Sequence, residues 1–204
     1  MNSSIFVNSS ILSQDLSVRL ENLIQFPNET KFTLIYQASK DGFGLKDFHS
    51  KCDNISNTLI IIQTTDSFIL GGFTTVSWSL PNTTTEDTYH YDSHSFIFSL
   101  TNTLINESFK MNVNKPDSAI YTGTDHVENI LNTIIGFGQS DLVINDYSNV
   151  NINYAWSKEY LSYDLPYLSE GNSSLFIGGD SFFASQIEVF VVDGKLFIYY
   201  ITKY

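Results

Sequence analysis

Short apolar runs with strand-like spacing, each stopped within a few residues by Gly, Asn, Asp, Ser or Thr, dominate the chain from Phe32 to Val192. Runs rich in β-branched and aromatic residues fit a pleated, half-buried surface. Phe32–Ala38 and Thr58–Gln63 are the first two. The second, TLIIIQ, is continuously apolar and predicts a strand buried on both faces. Phe96, Phe98 and Leu100 alternate with Ser95, Ile97 and Ser99, and Phe109, Met111 and Val113 form a similar series. Lys115-Pro116-Asp117 interrupts before Ala119-Ile120-Tyr121, and Asp141–Ile144 reads as another short strand. The run from Ser181 to Val192 ends in Asp193-Gly194, a strong hairpin signal that predicts a return strand over 195–203.

Only two segments have helical spacing. Leu12, Leu16, Leu20 and Leu23 share one face, with Ser13 placed as N-cap and Pro27 favouring a stop. Leu45, Phe48 and Cys52 line a second short helix, on which Asp47 and Lys51 are spaced as a weak surface pair. Strands and helices do not alternate regularly, which argues against a doubly wound α/β sheet. The expected fold is β-rich (α+β), a two-layer antiparallel β-sandwich flanked by short helices. One domain over 14–204, behind a loose lead-in of 1–13, accounts for the 204 residues.

The connections carry their own signals. Ser39–Gly42 reads as a turn, and Gly136–Gly138 as another. Gly71 and Gly72 interrupt a strand-like run, predicting a bend, a bulge or a close backbone approach. No lysine and helix follow them in the manner of a phosphate loop. Residues 79–93 read as a polar loop, 122–133 are ambiguous between loop and short helix, and 145–174 form a loop-rich stretch dense in aromatics.

Charge narrows the partners. Ten basic and 22 acidic residues give a net charge of −12, with no run of Lys or Arg. Nucleic acid and anionic membranes need a basic footprint, so both are disfavoured and a basic protein partner is favoured. One cysteine, Cys52, excludes an intramolecular disulfide. No signal peptide and no membrane span is evident, so the expected location is cytoplasmic or nuclear.

Reactive constellations are sparse. His90 and His94 are four apart, but Tyr91 stands where a zinc-hydrolase helix carries Glu, and the context is strand-like; no metal and no cofactor are expected. His49 reads as a partly buried hydrogen-bonding residue and His126 as a surface side chain. Cys52 reads as a small core residue, because nothing nearby lowers a thiol pKa. Asp141 is expected to organise its turn. Glu188 is the most informative acid: it shares a strand face with Phe190 and Val192, so it must be hydrogen-bonded, paired or at an interface.

The ordered segments FTLIYQASKDGFGLKDFHSKCD, GGFTTVSW, HSFIFSL, AIY, GFGQSDLVI, SYDLP and SQIEVF resemble the TLDc domain family, and most resemble its protist and invertebrate branch. The resemblance covers roughly residues 14–193 and implies a β-sandwich with short helices, in line with the pattern above. The family pattern falls on Asp41, Gly42, Phe48, His49, Cys52 and Asp53; on Gly71, Gly72, Trp78, Phe96 and Phe98; on Gly136, Phe137, Gly138, Asp141, Ser162, Tyr163 and Pro166; and on Gly178, Phe183, Ile187, Glu188 and Phe190. It implies turns at the glycines and core positions for the aromatics. Ile134-Ile135 stand where the branch carries Gly-Pro, which puts the surface of that turn in doubt.

The resemblance also implies a non-catalytic regulatory domain that binds protein. It links the chain to protection from oxidative stress or to control of the vacuolar proton pump. Three alternatives compete. One is a hydrolase or redox enzyme built on His49, Cys52, Asp53 and Glu188. Another is a sugar- or calcium-binding sandwich using Tyr154, Trp156, Tyr160, Tyr163 and Tyr167. The last is a DNA-binding regulator.

Overall fold

The computed structural model describes residues 5–79, 88–102, 107–122, 133–139, 141–155, 162–164 and 181–194. Helix α1 (Gln14–Ile24) forms where the leucine spacing places it. Ser13 Oγ accepts from Leu16 N, and Gln25, in the left-handed region, closes the last turn onto the Glu21 carbonyl. Strand β1 (Lys31–Gln37) leads into a single helical turn, α2 (Ala38–Asp41), where the sequence predicts only a turn. Asp41 accepts from Gln37 N, and Gly42 adopts φ +109°. Helix α3 (Leu45–Cys52) follows, with Asp47 accepting from Gly44 N at its start. Asp47 is thus a cap, and Lys51 pairs at 3.2 Å with Asp41 instead.

Two antiparallel sheets build the body. The first has the order β1, β12 (Ala184–Asp193), β2 (Thr58–Thr64), β3 (Ile69–Thr74), β5 (Phe96–Thr101), β6 (Phe109–Asn112). The second has the order β11 (Ser181–Phe182), β10 (Asn153–Ala155), β9 (Leu142–Asn145), β8 (Thr133–Phe137), β7 (Ile120–Thr122), β4 (Thr88–His90). Strands β4 and β10 thus lie inside segments whose polarity reads as loop. A 3-10 turn, Pro116–Ser118, links β6 to β7. The β-sandwich with flanking helices is therefore the observed architecture.

Each face of the first sheet is buried against something different. Ile60, Ile62, Leu70, Ile97, Ile187 and Val189 meet Ile135, Phe137, Leu142 and Ile144 of the second sheet, with Phe48, Cys52 and Trp78 closing one end. Leu59, Ile61, Phe73, Phe98, Phe190 and Val192 turn the other way, under α1 and residues 5–12. The two coverings explain why β2 is apolar without alternation. Residues 5–12, expected to be loose, are seated on this outer face: Phe6 packs edge-on against Phe190 and tilted against Phe32, and Ile11 and Leu12 are buried.

The glycine pair lies in a regular stretch of β3, with no bulge between Gly71 and Gly72. Close approach is the reason for it: a Cβ on Gly72 would lie 2.7 Å from Phe137 Cζ across the sandwich. Gly136 and Phe137 are strand residues of β8, and of this motif Gly138, at φ +67°, makes the turn. Ile134 and Ile135 are also inside β8 and buried, so their departure from the family pattern is a core change and not a surface one. The strand expected after Gly194 lies outside the described residues, as do His126, Pro166 and Gly178.

Candidate functional site

Glu188 sits in β12, fully buried, on the outer face of the first sheet. Its carboxylate is met by donors from two directions. Ser9 Oγ donates to Oε2 at 2.5 Å, and Ser10 gives its N–H at 2.6 Å and its hydroxyl at 2.8 Å to Oε1. Gln37 Nε2, from the neighbouring strand, donates to Oε1 at 2.7 Å. The Ser10 hydroxyl also accepts from Gln37 Nε2 and from Gln186 Nε2. The buried acid is therefore a clasp that fixes residues 9 and 10 to the sheet, satisfied by hydroxyl and amide donors.

His49, Cys52 and Asp53 lie on the opposite side of that sheet. His49 Nδ1 is 2.5 Å from Asp53 Oδ1, so the ring N–H donates to the carboxylate across one helical turn. Cys52 is completely buried among Tyr36, Phe48 and Trp78. Burial, then the nearby Asp53 and Asp41 carboxylates, push its thiol up to about 12. A thiol held protonated and out of solvent is neither a nucleophile nor a peroxide scavenger at neutral pH. Because Glu188 faces α1 and the Cys52 group faces the second sheet, the four residues do not converge on one site.

Asp141 is the second buried acid. Its oxygens accept from Ser162 N at 3.2 and 3.0 Å. Ser162 in turn accepts at its carbonyl from Asn114 N and Lys115 N, and Asp164 N donates to Asn112 O. Tyr163 lies fully buried between these anchors, donating to Ala119 O and sharing a bond with Ser95 Oγ. Residues 162–164 thus strap the end of the first sheet to the turn before β9. Burial raises the Asp141 carboxyl to about 7, partly offset by the backbone N–H groups of Ser162, Tyr163 and Gln139. Tyr163 is core, not the wall of a ligand groove; Trp156, Tyr160, Tyr167 and the Tyr154 side chain lie outside the described residues.

Asp92 completes the set of structural acids. It accepts from Thr74 Oγ1, Thr75 N, Thr75 Oγ1 and His94 N. His90 Nε2 bonds Thr122 Oγ1 instead of pairing with His94, and burial lowers its pKa. Among the described residues no three His, Cys, Asp or Glu side chains are grouped so as to hold a metal ion. Among the described residues, too, no helix is long and apolar enough to cross a membrane.

What the surface offers is an apolar rim. Tyr147, Val150, Ile152 and Phe183 are 57%, 67%, 42% and 39% exposed. Ala184 N donates to Ser148 O, and Asn153 pairs with Phe182, which sets Ile152 beside Phe183. Tyr147 is held at φ +51° with its N–H on Phe43 O. The family pattern implies core for the aromatic Phe183; the structure puts it outside, at the one-residue break between β11 and β12. Val150 and Ile152 carried a signal that sequence reasoning passed over: two isolated apolar residues in a run of Asn and Ser.

No curated protein matches the chain significantly. The model of the TLDc domain matches residues 5–193, from the segment clasped by Glu188 to the last residue of β12. With that match over nearly the whole sandwich, the chain belongs to the TLDc domain family.

Proposed function

We propose that this TLDc domain is a non-catalytic regulatory module that works by docking on a protein, with the Tyr147–Val150–Ile152–Phe183 rim as its contact. TLDc domains are regulatory modules without catalysis as a family. Here Glu188 is held by hydrogen bonds, Asp53 by His49, and Cys52 is buried in the core. The observation that carries the reading is the rim itself. Apolar side chains exposed along one short loop and the adjoining strand end cost free energy until something covers them.

The finer reading follows from the family resemblance. The partner is a proton-pump complex of the V-type ATPase class or the setting is protection from oxidative stress, the location is the cytosol or nucleus, and the domain is of the family's protist- and invertebrate-like branch. A net charge of −12 favours a partner with a basic surface. The test is biolayer interferometry of the purified chain against the purified peripheral sector of a V-type ATPase. Saturable binding is expected, weakened at least about tenfold in the triple variant Tyr147→Ser, Val150→Ser, Phe183→Ser while its melting temperature holds. Equal binding by the triple variant would remove the rim from the reading. Absence of binding to the pump, together with no stoichiometric complex from native extracts, would remove the reading altogether.

A further inference from the structure

Among the rim residues Tyr147 differs in its backbone, which sits in the left-handed region at φ +51°. A bulky side chain crowds its own backbone there, and glycine or asparagine is the ordinary occupant. Among the described residues, the other non-glycine positions with positive φ are Asn8, Gln25, Asn54, Asn57 and Ser67. Three of these are asparagine, and Gln25 closes the end of α1. Tyr147 alone in the set is aromatic. More than half of it is exposed, so burial of the ring does little to offset the strain.

Its surroundings hold it in that conformation. The Tyr147 N–H donates to Phe43 O, and the Tyr147 carbonyl accepts from Val150 N and Asn151 N. Just before it, Asp146 Oδ1 accepts from Leu45 N at 2.6 Å, and Asn151 Nδ2 donates to the Asp146 carbonyl. Just after it, Ser148 O accepts from Ala184 N and from Asn153 Nδ2. Asn145 closes the base of the loop, with its Nδ2 on Ile152 O. The β9–β10 loop is therefore stapled by its own asparagines and tied to the segment entering α3 and to the start of β12. A strained residue persists where its surroundings over-determine it, and such residues cluster where a side chain is put to use.

We infer that Tyr147 is the anchor of the rim: its ring enters a pocket on the folded protein partner, and the stapled loop holds it in the docking conformation before contact. The inference rests on the protein-binding reading and names the residue on which docking turns. An aromatic ring on a fixed backbone loses little freedom when it docks, so pre-ordering converts directly into affinity. Glycine at this position would keep the turn and relax the backbone, so the stability of the loop gives no reason for a tyrosine.

The test compares Tyr147→Gly and Tyr147→Phe in the intact chain, by thermal melting and by interferometry against the same purified peripheral sector of a V-type ATPase. Tyr147→Gly should melt no lower than the parent chain yet bind at least about tenfold more weakly, while Tyr147→Phe, which keeps the ring, should bind within about threefold of the parent. NMR relaxation of the unbound chain should find the Val150 and Ile152 methyl groups as ordered as those of the core. A melting temperature more than about 5 °C lower in Tyr147→Gly would show that the ring holds the fold, and would overturn the inference whatever the partner. Mobile methyl groups in the unbound chain would overturn it too. If Tyr147→Gly binds like the parent while the triple variant does not, Tyr147 is not the anchor and docking through the rim stands. No binding by the parent chain would instead remove the pump reading and the anchor with it.

Discussion

At the scale of single residues, two of the buried acids, Glu188 and Asp141, are held by donors from distant segments. Glu188 gathers donors from a segment distant in sequence, so removing its carboxylate takes away the acceptor shared by Gln37 Nε2, the Ser10 N–H and both serine hydroxyls. Glu188→Ala should cost about 3 kcal/mol in urea denaturation and should speed hydrogen exchange at Ser10 N. A loss below about 1 kcal/mol would mean the clasp is idle. Asp141 has a folded pKa of about 7 against an ordinary 3.8. The folded chain therefore keeps a proton that the unfolded chain releases. Its contribution is fully present below about pH 4 and is lost as pH rises through 7. Between pH 5 and pH 8 the wild type should lose about 2 kcal/mol relative to D141N, measured as the difference between their two pH profiles. Parallel profiles would show that Asp141 ionises normally. Cys52, with its thiol raised to about 12 and fully buried, should resist a disulfide reagent in the native chain and react fully in denaturant. Rapid native labelling would reopen the redox alternative.

At the scale of elements, the chain is organised by what covers the first sheet. One face meets the second sheet and the other meets α1 with residues 5–12. The spacing between the sheets is set locally at β3, where Gly72 lets the Phe137 ring lie against backbone. Gly72→Ala should destabilise by about 1–3 kcal/mol, because the added methyl must displace a packed ring. An unchanged melting temperature would show that the sandwich gives there at no cost. Residues 162–164 act as an element without being a strand or helix. They tie β6 and the 3-10 turn to the turn before β9 through three backbone bonds and the Asp141 carboxylate. Sequence patterns reached both helices and most strands. They missed β4 and β10 because three residues inside a polar stretch carry too little periodicity, and they read Gly136-Phe137 as a turn because glycine is locally ambiguous.

At the scale of the whole molecule, charge and surface decide behaviour more than chemistry does. The net charge of −12 keeps copies of the chain apart and also loads the folded state with self-repulsion. Raising salt from about 0.02 to 0.3 M should lift the melting temperature by roughly 2–5 °C, since the screening length falls well below the size of the domain. A fall would show that favourable ion pairs outweigh the repulsion. The Tyr147–Val150–Ile152–Phe183 rim is one place where the described surface departs from a solvated acidic coat.

Periodicity and turn chemistry determined the strands, the two helices, the sandwich class and the burial of Cys52, because these depend on residues within a few positions of one another. They also marked Glu188 as an acid in need of partners. Who those partners are depended on tertiary structure. Ser9 and Ser10 lie almost the whole chain away, and nothing local tells a clasped segment from a loose one. The exposed rim also arises from separate segments brought side by side. A period of 2 or 3.6 residues records which face of an element is apolar, but only long-range register decides what that face meets and what is left uncovered.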